Sequence, residues 1–192
     1  FYRRNTKFAA VRGELSKQRV EAVLGHHISA VTADAGILAP YLFDEPIEKK
    51  YKVGIIPHMN ELTGRDWEFL EKVRDHYDNS IIINVTDDPL QVVRQIAECE
   101  VIISSSLHGL IVADGFHIPN RHIIVTEKLG GDGFKFDDYY SAYGLEHKFT
   151  DLRKEELPSV EQVIGWYAVS ADVVEMKKQQ LIECFPGMRK NK

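Results

Sequence analysis

From residue 51 onward the sequence alternates short β-branched runs with amphipathic stretches, a pattern that few folds accommodate. Tyr51 to Pro57, Ser80 to Val85, Val101 to Ser104 and Arg121 to Val125 read as strands. Ser80 to Val85 is nearly continuous in β-branched residues, the mark of a strand covered on both faces. Between them, Trp67 to Tyr77, Asp88 to Cys99 and Gly109 to Phe116 carry helical periodicity. Asp88 and Pro89 supply an acidic cap and a first-turn proline. Strands alternating with helices of about ten residues predict right-handed βαβ units and a parallel sheet flanked by helices, an α/β, Rossmann-like architecture.

The first 50 residues are less regular. Glu14 to Leu24 predicts a helix closed by Gly25, and Ile28 to Thr32 a short strand. Pro40 to Lys50 turns polar and reads as a linker. Ser159 to Phe185 predicts a helical tail in two pieces. The chain opens on Phe1-Tyr2-Arg3-Arg4 without an initiator methionine, as a fragment or a processed chain would.

Composition removes several classes. A 44% hydrophobic content excludes disorder. Lys and Arg number 24 against 29 Asp and Glu, with no basic stripe, which argues against nucleic acid as a partner. No apolar run approaches the roughly 18 residues of a membrane span. Cys99 and Cys184 have neither metal nor redox spacing, which fits structural thiols in a reduced cytoplasmic setting. No His-rich or carboxylate cluster compels a metal.

Open parallel sheets bind ligands beyond the carboxyl ends of their strands. Three such tips are expected, at Pro57-His58, Val85-Thr86 and Ser104 to Gly109. The third runs from a buried strand through Ser104, Ser105 and Ser106 to Leu107, His108 and Gly109. Hydroxyls beside the amides of a helix start make an anion site, or, on a plainer reading, merely a helix cap. Gly109 allows a ligand or a neighbouring backbone to approach closely.

The stretch Ser105-Ser106-Leu107-His108-Gly109-Leu110-Ile111-Val112-Ala113-Asp114-Gly115, with Ile118-Pro119 after it, resembles a hallmark of the polysaccharide pyruvyl transferase family. Gly131-Asp132-Gly133-Phe134-Lys135-Phe136-Asp137-Asp138-Tyr139-Tyr140 is similar to a second block. Arg12-Gly13-Glu14-Leu15-Ser16, Asp34 to Leu38 and Gly54 to His58 resemble three more, in order. Many members carry arginine where this chain has Ser106; the serine form resembles the exopolysaccharide-synthesis branch. Its absence takes one guanidinium fork from the expected anion site.

The resemblance implies a fold like the B-type glycosyltransferases, two Rossmann-like domains facing a cleft. Residues 51–192 would be the C-terminal domain with its closing helices, and residues 1–50 the closing segment of an N-terminal domain plus linker. It implies transfer of the pyruvyl group of phosphoenolpyruvate, the donor substrate, to a sugar of a cell-surface polysaccharide or its lipid-linked precursor, giving a ketal. No cofactor is implied. The setting would be cytoplasmic, with peripheral contact at the inner membrane face where the acceptor is lipid-linked. His108 is the first acid/base candidate and His58 the second. Arg12, Ser104, Ser105, Ser106, Leu107, Gly109 and Lys135 are the candidate substrate contacts, Lys135 by way of a closing loop, Gly130-Gly131-Asp132-Gly133. Asp137 and Asp138 are weaker base candidates, since acidic residues at a helix start are usually caps. A sugar-nucleotide-dependent glycosyltransferase or epimerase, and a non-catalytic fragment without its acceptor domain, are the alternatives.

Overall fold

Five parallel strands form the main sheet, as the strand–helix alternation requires. The computed structural model describes residues 6–127 and 133–185. In chain order its elements begin with β1 (Ala10–Val11), α1 (Glu14–Leu24), β2 (Val31–Thr32), a 3-10 segment (Ala35–Leu42) and β3 (Tyr51–Ile56). A 3-10 turn (Met59–Glu61), α2 (Gly64–His76), β4 (Ser80–Ile82), α3 (Pro89–Ala97), β5 (Cys99–Ser104) and α4 (Leu107–Gly115) follow. The remainder comprises β6 (Asn120–Ile124), α5 (Phe134–Ser141), β7 (Phe149–Asp151), α6 (Val160–Trp166) and α7 (Ala171–Cys184). These elements form two compact units drawn from separate stretches. A sheet unit takes residues 36–127 and 148–168, and a helical unit takes residues 6–35, 133–147 and 169–185.

In the sheet unit the spatial order is β4-β3-β5-β6-β7, with every neighbouring pair parallel. Numbered within the sheet, that order is 2-1-3-4-5. The chain leaves β3 for one edge, returns past it, and then builds outward from β5. The reversal of direction falls between β3 and β5, the crevice where ligands bind in such sheets. These two strands also pair along most of their length, from Tyr51 beside Cys99 to Ile56 beside Ser104.

Alternation along the strands explains the β-branched runs. Val53, Ile55, Val101, Ile103 and Ile123 pack on one face against Leu70 and Val73 of α2 and Val163 of α6. Ile56 and Ile102 pack on the other against Ile96 of α3 and Val112 and Ala113 of α4. Both faces are covered, which is why the central strands read as nearly continuous apolar runs. Asp88 caps α3 as its sequence predicts, accepting from the Leu90 and Gln91 amides at 3.1 Å each.

Several expected boundaries move. Strand pairing at Ile28–Thr32 shrinks to Val31–Thr32, and β4 ends at Ile82 rather than Val85. The Asn84 side chain ends it by accepting from the Thr86 amide and hydroxyl, which turns the chain. The helical tail is two helices, as expected. In the helical unit, β1 and β2 pair over two residues. The buried Lys177 of α7 donates to Thr32 O at 2.7 Å. Burial lowers the pKa of that lysine, partly opposed by the charge of Glu14.

Two glycines of the sheet unit test this packing in opposite directions. A Cβ added to Gly115 would lie 2.6 Å from the Ile37 carbonyl oxygen and 3.0 Å from its Cα, because the end of α4 rests on the 3-10 backbone. One added to Gly165 in α6 meets nothing within 4 Å. Gly115→Ala should therefore destabilise by about 1–3 kcal/mol through overpacking. Gly165→Ala should stabilise by roughly 0.5–1 kcal/mol through lost unfolded-state freedom. Urea denaturation of the two variants beside the parent chain checks both signs.

Candidate active site

The tips of β3 and β5 meet across the crevice, and hydrogen bonds join them side by side. Ser105 N–H donates to Ile56 O at 3.0 Å, extending the ladder by one residue. His58 N–H points at two acceptors, Ser105 Oγ and Glu61 Oε2, each 2.9 Å away. Ser105 Oγ is in turn hydrogen-bonded to Glu61 Oε2. His58, Ser105 and the corner leading into α4 are thus parts of one bonded assembly.

The three serines of the corner do different things. Ser104 is buried; its Oγ accepts from Ser106 N–H at 3.0 Å and lies 3.0 Å from Ile56 O and 2.9 Å from Ser106 O, the carbonyls open to its one proton. Ser105 is also buried and faces Glu61. Both hydroxyls serve the frame of the corner. Ser106 stands at the N-cap of α4 and is half-buried, yet its side chain makes no capping bond. The cap reading of the motif fails at the serine positioned to cap. Helical geometry leaves the first amides of α4 without a carbonyl one turn back, and the helix dipole places partial positive charge there.

Beyond the serines, Leu107 is buried and His108, on the first turn of α4, is exposed. Gly109 is buried, and a Cβ there would lie 2.6 Å from Ser104 Oγ and 2.9 Å from Ile56 Cδ1. Its lack of a side chain lets the helix sit against β3, so the close neighbour is protein. The half-buried His58 accepts from Asn60 N–H through Nδ1 at 3.2 Å. Glu61 was not legible as a site residue. Its signal is a capping box that starts on His58 where serine or threonine is the usual residue.

Arg12 and Lys135 belong to the helical unit. Arg12 Nε lies 3.2 Å from Asp138 Oδ2, with 30% of the arginine side chain exposed and the carboxylate fully buried. Asp138 also accepts from Ser16 N–H and Ser16 O–H, both at 2.7 Å. Ser141 Oγ accepts from Glu14 N–H at 2.9 Å and Leu15 N–H at 3.4 Å. Side chains of α5 therefore cap α1, whose own N-cap is Gly13. A Cβ at Gly13 would lie 1.7 Å from Asp138 O, which excludes any larger residue. Asp138 is thus a cap for a different helix from the one that carries it. Asp137 is exposed and pairs with His147 at 3.2 Å, while His147 stacks on Phe136 and Tyr140.

Lys135 Nζ lies 5.1 Å from the centroid of the Phe136 ring. Gly133 precedes α5 in the left-handed region, at φ 80°. Gly130, Gly131 and Asp132 of the expected closing loop lie outside the described residues. In the sheet unit, Arg153 beyond β7 donates to Asp151 through Nε and Nη2, each at 2.7 Å, and meets Glu127 at 3.0 Å. That guanidinium holds the Asp151 pKa down to about 2, and its charge is matched by two carboxylates. Among the described residues no group of three or more His, Cys, Asp or Glu side chains is placed to hold a metal. No described helix is long and apolar enough to cross a membrane.

Asp138→Ala should strand the Ser16 amide and leave Arg12 without its partner, costing about 1–3 kcal/mol. Asp138→Asn keeps one acceptor for that amide and should cost less. Equilibrium unfolding in denaturant orders the variants. Equal stability of Asp138→Ala and the parent chain would show that α5 does not secure the start of α1.

Comparison with known proteins places this geometry. The chain is 31% identical over 191 residues to the uncharacterized protein L143 of Acanthamoeba polyphaga mimivirus, covering 90% of this chain and 62% of that one. It is 25% identical over 146 residues to the succinoglycan biosynthesis protein ExoV of Rhizobium meliloti (strain 1021), covering 72% of this chain and 41% of that one. The chain therefore spans about three fifths and two fifths of these curated relatives. No solved structure matches it significantly. The family model for polysaccharide pyruvyl transferase matches residues 1–127, which include both strand tips and the α4 corner, and the chain belongs to that family.

Proposed function

We propose that this chain takes part in transferring the pyruvyl group of phosphoenolpyruvate to a sugar of an exopolysaccharide or its lipid-linked precursor, and that the α4 corner receives the donor. The observation that carries the reading is the helix start at the β3–β5 crevice, left uncapped by Ser106 with His108 exposed on its first turn. Family membership and the similarity to a succinoglycan biosynthesis protein support the same chemistry.

The reaction sets the roles. A proton goes to the methylene carbon of the donor, and positive charge develops at the adjacent carbon. One sugar hydroxyl adds there, phosphate leaves, and a second hydroxyl closes the ketal. Two hydroxyl protons are released; one balances the proton gained by the new methyl group and the other departs with phosphate. The uncapped amides and Ser106 Oγ would bind donor oxygens, as helix starts do for anions. His108 would act as acid/base or contact the leaving phosphate, since imidazole exchanges protons near neutral pH. His58 would be the second polar contact. The donor carries more negative charge than one helix terminus offsets, so binding it calls for a cationic side chain as well. A cytoplasmic setting, at the inner membrane face where the acceptor is lipid-linked, suits this chemistry.

A sugar-nucleotide enzyme would need a carboxylate for the ribose. Of the two carboxylates open to that role, Asp138 is occupied by α1 and Arg12, and the exposed Asp137 pairs with His147, which weakens that alternative.

Phosphoenolpyruvate should raise the melting temperature saturably, while a uridine diphosphate sugar should not. His108→Asn should fold as the parent does, weaken phosphoenolpyruvate binding at least tenfold, and abolish phosphate release in the presence of acceptor. Wild-type affinity and turnover in that variant would remove the corner from the reaction.

A further inference from the structure

Glu61 is the fully buried carboxylate of the crevice, 0% exposed, on a 3-10 turn of three residues. Burying a carboxylate is unfavourable unless hydrogen bonds offset the lost hydration, which is why such groups usually stay at the surface. Glu61 Oε2 faces the amide of His58 at the end of β3 and the hydroxyl of Ser105 at the end of β5. The carboxylate therefore ties together the two strand tips that border the topological reversal.

The same turn governs the His58 ring. Its Nδ1 accepts from Asn60 N–H, so a neutral imidazole in this position carries its proton on Nε2. We infer that Glu61 is a positioning residue that holds His58 as an Nε2–H hydrogen-bond donor beside Ser105. In that tautomer His58 offers a hydrogen bond to an oxygen of a bound anion or acceptor sugar, and its Nδ1 is engaged by the backbone. His58 then orients and stabilises, and the proton-transfer role falls to His108. This assignment builds on the proposed donor site, but its first test is independent of what the corner binds.

That test is the nitrogen spectrum of ¹⁵N-histidine-labelled protein, with the His58 signals identified by their loss in His58→Gln. Above the titration range, wild-type His58 should show the limiting shifts of a single Nε2–H tautomer. In Glu61→Ala they should move to the averaged positions of a solvent-exposed histidine. Glu61→Gln, which keeps the length and one oxygen able to accept from both donors, should stay close to wild type. Unmoved His58 signals in Glu61→Ala overturn the inference; should that variant not fold, unmoved signals in Glu61→Met, which keeps the length and removes the acceptors, do so.

The second readout is phosphoenolpyruvate affinity, expected to fall about tenfold in Glu61→Ala and less in Glu61→Gln. Affinity at the wild-type level in Glu61→Ala also overturns the inference. A wild-type chain that ignores phosphoenolpyruvate defeats the proposed function instead, and leaves the spectral comparison to decide Glu61.

Discussion

The parallel pairing of β3 with β5 is the constraint on which the sheet unit depends. It joins two strands that are adjacent in space but separated in sequence by α2, β4 and α3. Because the chain reverses its direction of travel between them, the helices that follow these strands leave on opposite faces, α2 on one and α4 on the other. A gap opens between the diverging connections at the carboxyl edge. The crevice is a consequence of topology, present before any side chain is chosen. Side chains then decide what it can hold, and here they are hydroxyls, imidazoles and one buried carboxylate.

The helical unit shows that two of the blocks that resemble the family pattern are bonded to one another. The Arg12-Gly13-Glu14-Leu15-Ser16 segment and the Asp138 to Ser141 segment answer one another almost residue by residue. Arg12 pairs with Asp138, Gly13 makes room for the Asp138 carbonyl, and Ser16 and Glu14 donate to Asp138 and Ser141. A helix that begins on glycine has no cap of its own, and another helix supplies it. Residues 126 positions apart are thereby bonded. Such a block secures the start of α1, and its presence alone says little about catalysis.

Sequence made the strands legible because burial on both faces leaves a β-branched run that nothing else explains. It made α3 legible because Asp88 and Pro89 are local signals. It exposed the corner because three hydroxyls and a helix start directly follow a buried strand. What stayed hidden depends on tertiary direction. Phe149-Thr150-Asp151 is too short, among charged neighbours, to show a period, yet it closes the sheet as β7. The inward aim of Ser104 and Ser105 follows from where Ile56 and Glu61 sit, which no spacing in the chain records. Glu61 was hidden because a histidine occupies the cap position where serine or threonine would have announced the box.

An uncapped helix start is not in itself a binding site, and this molecule illustrates why. Ser170 at the start of α7 also makes no capping bond, whereas Ser159 at the start of α6 accepts from the Gln162 amide at 3.2 Å. Of three serines at three N-caps one caps and two do not, so residue type cannot be the distinguishing feature. Place is what separates them. Only Ser106 among the three borders the β3–β5 reversal, with His108 two residues further on and His58 bonded to the adjacent serine. The two neighbouring hydroxyls are already committed to the frame, which fixes the backbone of the corner while leaving Ser106 out of that frame. A ligand oxygen arriving there would meet amides whose direction is set in advance, and preorganised donors stabilise developing charge without first reorganising.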